Sequence, residues 1–257
     1  MHLMLSYMKM TLKSQLQYKT SFILVFISQF AALFIYYIFI NALFDRFGSL
    51  QDFSRYEVLL AFATLSTGYA LAEILMRGFD RFPRQIISGN FDRLLVRPRN
   101  LLLQIMGSDQ YFARLSKVMQ SLVALVYCMY NLPLVWTWDK IVVLILMIIA
   151  AFATFTGVFI LSASFCFVTI QGLEIMNLLV DGGREAAQYP MGIYPKEILM
   201  FFTFAIPIAC ANTYPLLYII GRGSNWYALT PLWSIVFILP CCYIWYFAAN
   251  KYQSTGS

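Results

Sequence analysis

Ionisable and nucleophilic side chains are sparse in this chain, and their spacing excludes most site chemistry. The only histidine is His2, so a histidine-based triad, a HExxH zinc site or a histidine proton relay lacks its parts. The five cysteines (Cys128, Cys166, Cys210, Cys241 and Cys242) lie in apolar runs without a CxxC pair. They read as small buried apolar residues. No GxxxxGKS/T motif is present, so there is no P-loop to hold a nucleotide. Polar residues in or beside apolar runs are the candidate intramembrane sites: Glu57, Glu73, Gln171 and Glu174. Glu57 and Glu73 would bind a cation or a proton, or else simply reach an interface, and Gln171 and Glu174 read as interface polar groups. No carboxylates cluster at metal-ligand spacing. Neither a catalytic residue nor a cofactor is expected in this chain.

The positive signal is a charged segment, Arg77 to Lys117, set between two apolar runs. It holds Arg77, Arg81, Arg84, Arg93, Arg97, Arg99, Arg114 and Lys117 out of 18 basic residues in all. Pro83, Gly89 and Pro98 punctuate it into two short amphipathic pieces. The first continues the preceding apolar run. The second, Asn90 to Val96, is expected to be a helix capped by Asn90, favoured by Asp92 near its positive end, and stopped by Pro98. Phe91, Leu94 and Leu95 share one face by their spacing, leaving Asp92, Arg93 and Arg97 on the other. A helix of under two turns is not stable alone and must pack against something. A docking surface for a soluble partner is one reading, and a basic loop that only fixes topology is the other.

The elements that carry these residues are membrane spans. Of 257 residues, 61% are hydrophobic and 12% charged, and the mean hydropathy is +0.70. A soluble domain would carry about a quarter charged residues. The fold class is therefore all-α and polytopic, with about six transmembrane helices: 21–44, 56–76, 116–136, 141–168, 197–220 and 231–249. Residues 1–20 form an amphipathic helix expected to lie at the interface, with Met4, Met8, Leu12 and Leu16 on one side. The first apolar run exceeds a signal-peptide core and is expected to remain as an anchor.

Residues 171–194 are too polar to span as one lipid-facing helix. Gly182 and Gly183 are expected to break it, as a hinge or a plain helix end. Pro207 and Pro215 are expected to bend the fifth span. With both termini inside, Arg46, Arg55, Lys140 and Arg222 are the outer cations and all the others are inner. That asymmetry predicts cytoplasmic termini in a cell (plasma) membrane. It also accounts for the net charge of +6 without invoking nucleic acid.

The run Ile87-Ser88-Gly89-Asn90-Phe91-Asp92-Arg93-Leu94-Leu95-Val96-Arg97-Pro98 resembles the loop after the second span in ABC-transporter permeases of the type-2 export class. Tyr189-Pro190-Met191-Gly192-Ile193-Tyr194-Pro195, then Ile206-Pro207 and Asn212-Thr213-Tyr214-Pro215, resemble that group's approach to its fifth span. Thr213 departs from it, standing where an aromatic is expected. The resemblance covers nearly the whole chain. It implies a six-span permease working as a homodimer or heterodimer with two separate ATPase subunits, where ATP and Mg would bind. It also implies that the loop 77–117 holds a coupling helix, with Asn90, Phe91, Asp92, Arg93, Leu94, Leu95 and Arg97 as its ATPase-coupling residues. Phe91, Leu94 and Leu95 would pack against the ATPase, while Asp92 and Arg93 would supply polar contacts. The alternatives are an ATP-independent secondary transporter or channel, and an intramembrane enzyme. The first would need a relay of ionisable groups, the second a convergent set of reactive ones.

Overall fold

The computed structural model describes residues 2–48, 53–167, 173–189, 191 and 194–252, with backbone alone at 2–5, 33 and 173–179. Every regular element among them is helical. A first helix, α1 (His2–Gln17), is separated at Tyr18 from α2 (Lys19–Phe47), the first apolar span. The second span, α3 (Arg55–Leu75), starts on a capping box. Ser54 Oγ accepts from the Glu57 amide, and the Glu57 carboxylate accepts from the Ser54 amide at 2.7 Å. This gives Glu57 a structural task, and Arg222 pairs with it at 3.5 Å.

Four short helices follow: α4 (Arg77–Asp80), α5 (Phe82–Ile87), α6 (Asn90–Leu95) and α7 (Leu101–Ser108). The two amphipathic pieces read from sequence are thus three helices, and α7 comes as an addition. The third span comprises a 3₁₀ turn at Phe112–Arg114 and α8 (Leu115–Asn131). It stops short of the expected Trp136 because Pro133 forces Leu132 into an extended conformation (ψ 127°). The fourth span is α9 (Trp138–Phe165).

Helix α10 (Leu173–Ala187) runs straight through Gly182 and Gly183, so the expected break there is absent. A helix-interior glycine costs about 1 kcal/mol relative to alanine, too little to interrupt a segment otherwise rich in Leu, Glu, Arg and Ala. Val168, Gln171 and Pro190 lie outside the described residues, as does the side chain of Glu174.

The fifth apolar segment is broken. Helix α11 (Lys196–Met200) and a π turn at Phe201–Ala205 lead to α12 (Ile208–Ala211) and α13 (Thr213–Ile219), with a bend of 80° at Ile206–Pro207. Pro207 has no N–H to continue the ladder. Its carbonyl takes the Ala211 amide at 3.1 Å and a second bond from Ser234 Oγ at 2.6 Å, and Thr230 Oγ1 donates to the Cys210 carbonyl at 3.2 Å. A broken backbone within a membrane needs such substitutes for water. Pro215 makes no comparable bend. It sits in the first turn of α13, where a missing N–H is tolerated, and the junction falls three residues earlier at Asn212 (φ −124°). The last span is a 3₁₀ turn at Asn225–Leu229 followed by α14 (Thr230–Val236) and α15 (Ile238–Asn250).

Among the described residues five helical segments are long and apolar enough to cross a membrane, and the bent pair makes six if it counts as one span. Helix α3 lies at the centre between α8 and α9. Gly68 lets α3 and α9 touch, since a Cβ there would stand 2.5 Å from the Ala151 Cβ. Among the described residues side chains pack in two large clusters and a small one around Ala70, Ile74 and Val118. One large cluster, around Val58, Leu132 and Val143, lies toward the start of α3. The other large one, around Phe79, Phe91 and Trp245, lies at the end carrying the basic segment. Helix α2 is almost wholly exposed along its apolar length.

Candidate functional site: the basic platform and its anchorage

Helices α4 to α7 form a platform capping the basic end of the bundle. Close backbone approach holds α4 on α7: a Cβ on Gly78 would fall 1.8 Å from the Ile105 carbonyl oxygen. Arg81 pairs with Asp109 at 2.8 Å, and Arg77 with Asp80 at 2.8 Å. Burial pushes the Asp80 carboxyl up from its ordinary value, with Arg77 opposing. Gln104, itself buried, donates from Nε2 to the carbonyls of Arg99 at 3.1 Å and Leu94 at 3.4 Å, closing the end of α6. Asn100 caps α7 through the Leu103 amide and bonds the Tyr246 hydroxyl of α15.

Asn90 was expected to cap α6. That position belongs to Gly89, whose φ of +67° suits a residue without a Cβ. Asn90 is the first helical residue, and its amide donates to Ser88 Oγ at 2.8 Å.

The faces of α6 divide differently from the expectation. Phe91 is fully buried. Its ring meets Phe82 at 5.0 Å, Phe167 at 5.4 Å and Tyr252 at 5.0 Å. Phe82 in turn contacts Trp245 of α15 at 4.8 Å. These edge-to-face and tilted contacts form an aromatic clamp between the platform and the inner ends of α9 and α15. Leu94 also packs into that core. Asp92 turns to Tyr252. Burial, then the Asp92 charge and hydrogen bond, raise the Tyr252 phenol above its ordinary value. The outward apolar residues are instead Leu95 (45% exposed), Val96 (83%) and Ile87 (65%). Arg84, Arg93, Arg97 and Arg99 are exposed around them.

A family model described as ABC-2 family transporter protein matches residues 30–256. The chain belongs to the ABC-2 transporter family. Neither the comparison with curated proteins nor that with solved structures gives a match. The ABC-2 assignment makes this a multi-pass membrane permease component of an ABC exporter, a class that associates with an ABC ATPase.

In this ABC-2 permease the intramembrane candidates Glu57 and Glu73 have partners of their own. Glu73 is buried at the end of α3, where its carboxylate takes Arg114 on one oxygen and Lys117, at 3.1 Å, on the other. One carboxylate held by two cations is a fixed ion cluster, and breaking it leaves buried charge unpaired. Above it Thr67 bonds Ser121 at 2.9 Å, joining α3 to α8.

Sequence reading missed Asn212 as a junction. At the break between α12 and α13 its Oδ1 accepts from Thr64 of α3 at 3.2 Å, and its Nδ2 donates to the Ala187 carbonyl of α10 at 3.2 Å. The neighbouring Thr213, the departure from the family pattern, accepts the Met191 amide on its hydroxyl at 3.1 Å. The available signal was an amide-bearing residue between two prolines in an apolar run.

Proposed function

We propose that this chain forms the substrate path of an exporter and receives force from a separate ATPase through α6 and its neighbours. The observation carrying this reading is the two-sided build of α6. One side is clamped through Phe91 to the ends of α9 and α15. The other presents Leu95, Val96 and Ile87 among exposed arginines. A short helix built this way can transmit a push, because its inner side is packed and its outer side is available.

The ATPase-coupling contact then falls on Leu95, Val96, Ile87, Arg93 and Arg97, while Phe91, Leu94 and Asp92 connect the contact to the bundle. ATP and Mg bind in the partner, and nucleotide-dependent contact there shifts the permease between states. The assembly holds two six-span permeases, identical or paired with a second kind, over two ATPases. Both termini face the cytoplasm of the cell membrane, as the placement of basic residues supports. An ion-coupled carrier would draw on Glu73, which is already neutralised by Arg114 and Lys117.

The test is the double substitution Leu95→Asp, Val96→Asp in the membrane-embedded complex. ATPase co-purification and ATP-driven export should fall together while the permease inserts normally. Unchanged export would reject the coupling role.

A further inference from the structure

A cavity of about 170 Å³ lies among α2, α3, α8 and α10, within the membrane-spanning bundle. Lys117 and Arg184 line it, together with Ser66, Tyr69, Phe62 and Leu65. It is therefore cationic toward the basic end and apolar toward the other. Among the described residues no carboxylate lines it, and the acids Glu73 and Glu185 beside it are already engaged. Glu73 is shared by Arg114 and Lys117. Glu185 takes Arg184, the Tyr36 hydroxyl at 3.0 Å and the Gln188 amide at 2.8 Å. Asp181, on the same helix, is exposed. Arg184 also lies over the Tyr69 ring at 5.1 Å, which fixes the guanidinium beside the cavity.

A second hollow adjoins the first, and Tyr36 and Gln188 line both. Its other walls include Phe39, Tyr189, Tyr194 and the carboxylate of Glu185, which Arg184, Tyr36 and Gln188 hold. Ionisable side chains within a membrane are costly and mark ligand pathways unless they are fully consumed by pairing. Here two cations face open space, and an aromatic hollow continues from it.

We infer that this cavity binds the anionic head group, carboxylate or phosphate, of an amphiphile whose apolar part lies in the adjoining aromatic hollow. The inference rests on the permease reading and names the substrate class of that path. Lys117 and Arg184 supply charge-assisted hydrogen bonds to the head group. Phe62, Leu65 and the tyrosines face the chain.

The experiment uses the full chain in phosphatidylcholine nanodiscs, without ATPase or ATP. Binding of a pyrene-labelled phosphatidic acid is compared with that of the matched pyrene-labelled phosphatidylcholine. The anionic probe should bind more tightly, and Arg184→Gln and Lys117→Gln should each weaken it roughly tenfold, the worth of one charge-assisted contact. Ser66→Leu, which fills the cavity without touching charge, should exclude the anionic probe at unchanged thermal stability. Equal binding of the two probes, or an anionic preference surviving in all three variants, would overturn the inference. So would displacement of the labelled amphiphile by inorganic phosphate at matched ionic strength, which would assign the site to a free anion. The Leu95→Asp, Val96→Asp protein should bind the probe normally, which separates failure of this site from failure of coupling.

Discussion

The Phe91 ring stands edge-on to Tyr252, with centroids 5.0 Å apart and planes at 79°. It links the first turn of a six-residue surface helix to the chain just beyond the last span. Through Phe167 and Trp245 the same cluster reaches α9 and α15. Helix α6 is thereby packed to the ends of the fourth and sixth spans, and the loop joins it covalently to the second and third.

Truncating this ring separates anchorage from docking. Phe91→Ala should lower stability by about 3–5 kcal/mol, the range for a buried phenylalanine, and loosen α6. Thermal unfolding in detergent and protease sensitivity near Gly89 would report it. A Leu95→Ala control on the exposed side should change unfolding little.

The Tyr252 phenol gives a pH signature outside the spans. Its folded-state value is raised above the ordinary 10.0, so between the two values the folded chain keeps a proton that the unfolded chain releases. Stability is fully present below pH 10 and is lost as pH rises through the raised value. Tyr252→Phe should remove that part of the slope, as followed by thermal unfolding across the alkaline range.

The ion cluster predicts unequal effects of its members. Glu73→Gln leaves Arg114 and Lys117 facing each other and should cost about 3–5 kcal/mol. Lys117→Met keeps the Arg114–Glu73 pair and should cost clearly less. Detergent melting of the two single variants would decide it, and equal losses would contradict the shared-carboxylate geometry.

At the 80° bend, Ser234→Ala removes one of two donors to the Pro207 carbonyl and leaves it the Ala211 amide alone. The expected loss is about 0.5–1.5 kcal/mol, the net worth of one hydrogen bond. Hydrogen exchange should rise around residues 206–212 before it rises in α3.

A volume test addresses the platform seam. With the Ile105 carbonyl where it is, even Gly78→Ala must push α4 off α7. Accessibility of a cysteine introduced at Gln85 should increase, and coupling to the ATPase should weaken.

Much of the membrane architecture was legible in the chain. Long apolar runs predict the spans because each must bury its own backbone hydrogen bonds, and the cation asymmetry supplies the topological expectation. The position of α6 was also readable from Gly89, its periodicity and Pro98. The residue at its cap and the direction of its apolar face were not. Phe91, Leu94 and Leu95 share a face by spacing, yet Phe91 is sealed in the core and Leu95 is open. Periodicity cannot say which part of an apolar stripe meets the chain's own core, and α7 and the inner ends of α9 and α15 supply that core.

The sequence alone determined a helical, multi-pass chain with one folded basic segment, since hydropathy and proline positions are local properties. The tertiary structure decided which polar groups are structural and which face space. Glu57 and Glu73 acquire partners from distant segments, Arg222, Arg114 and Lys117. Lys117 and Arg184, ordinary inner cations by sequence, come to line one cavity. Pairing inside a low-dielectric bundle depends on three-dimensional proximity, which only the packing of α2, α3, α8 and α10 fixes.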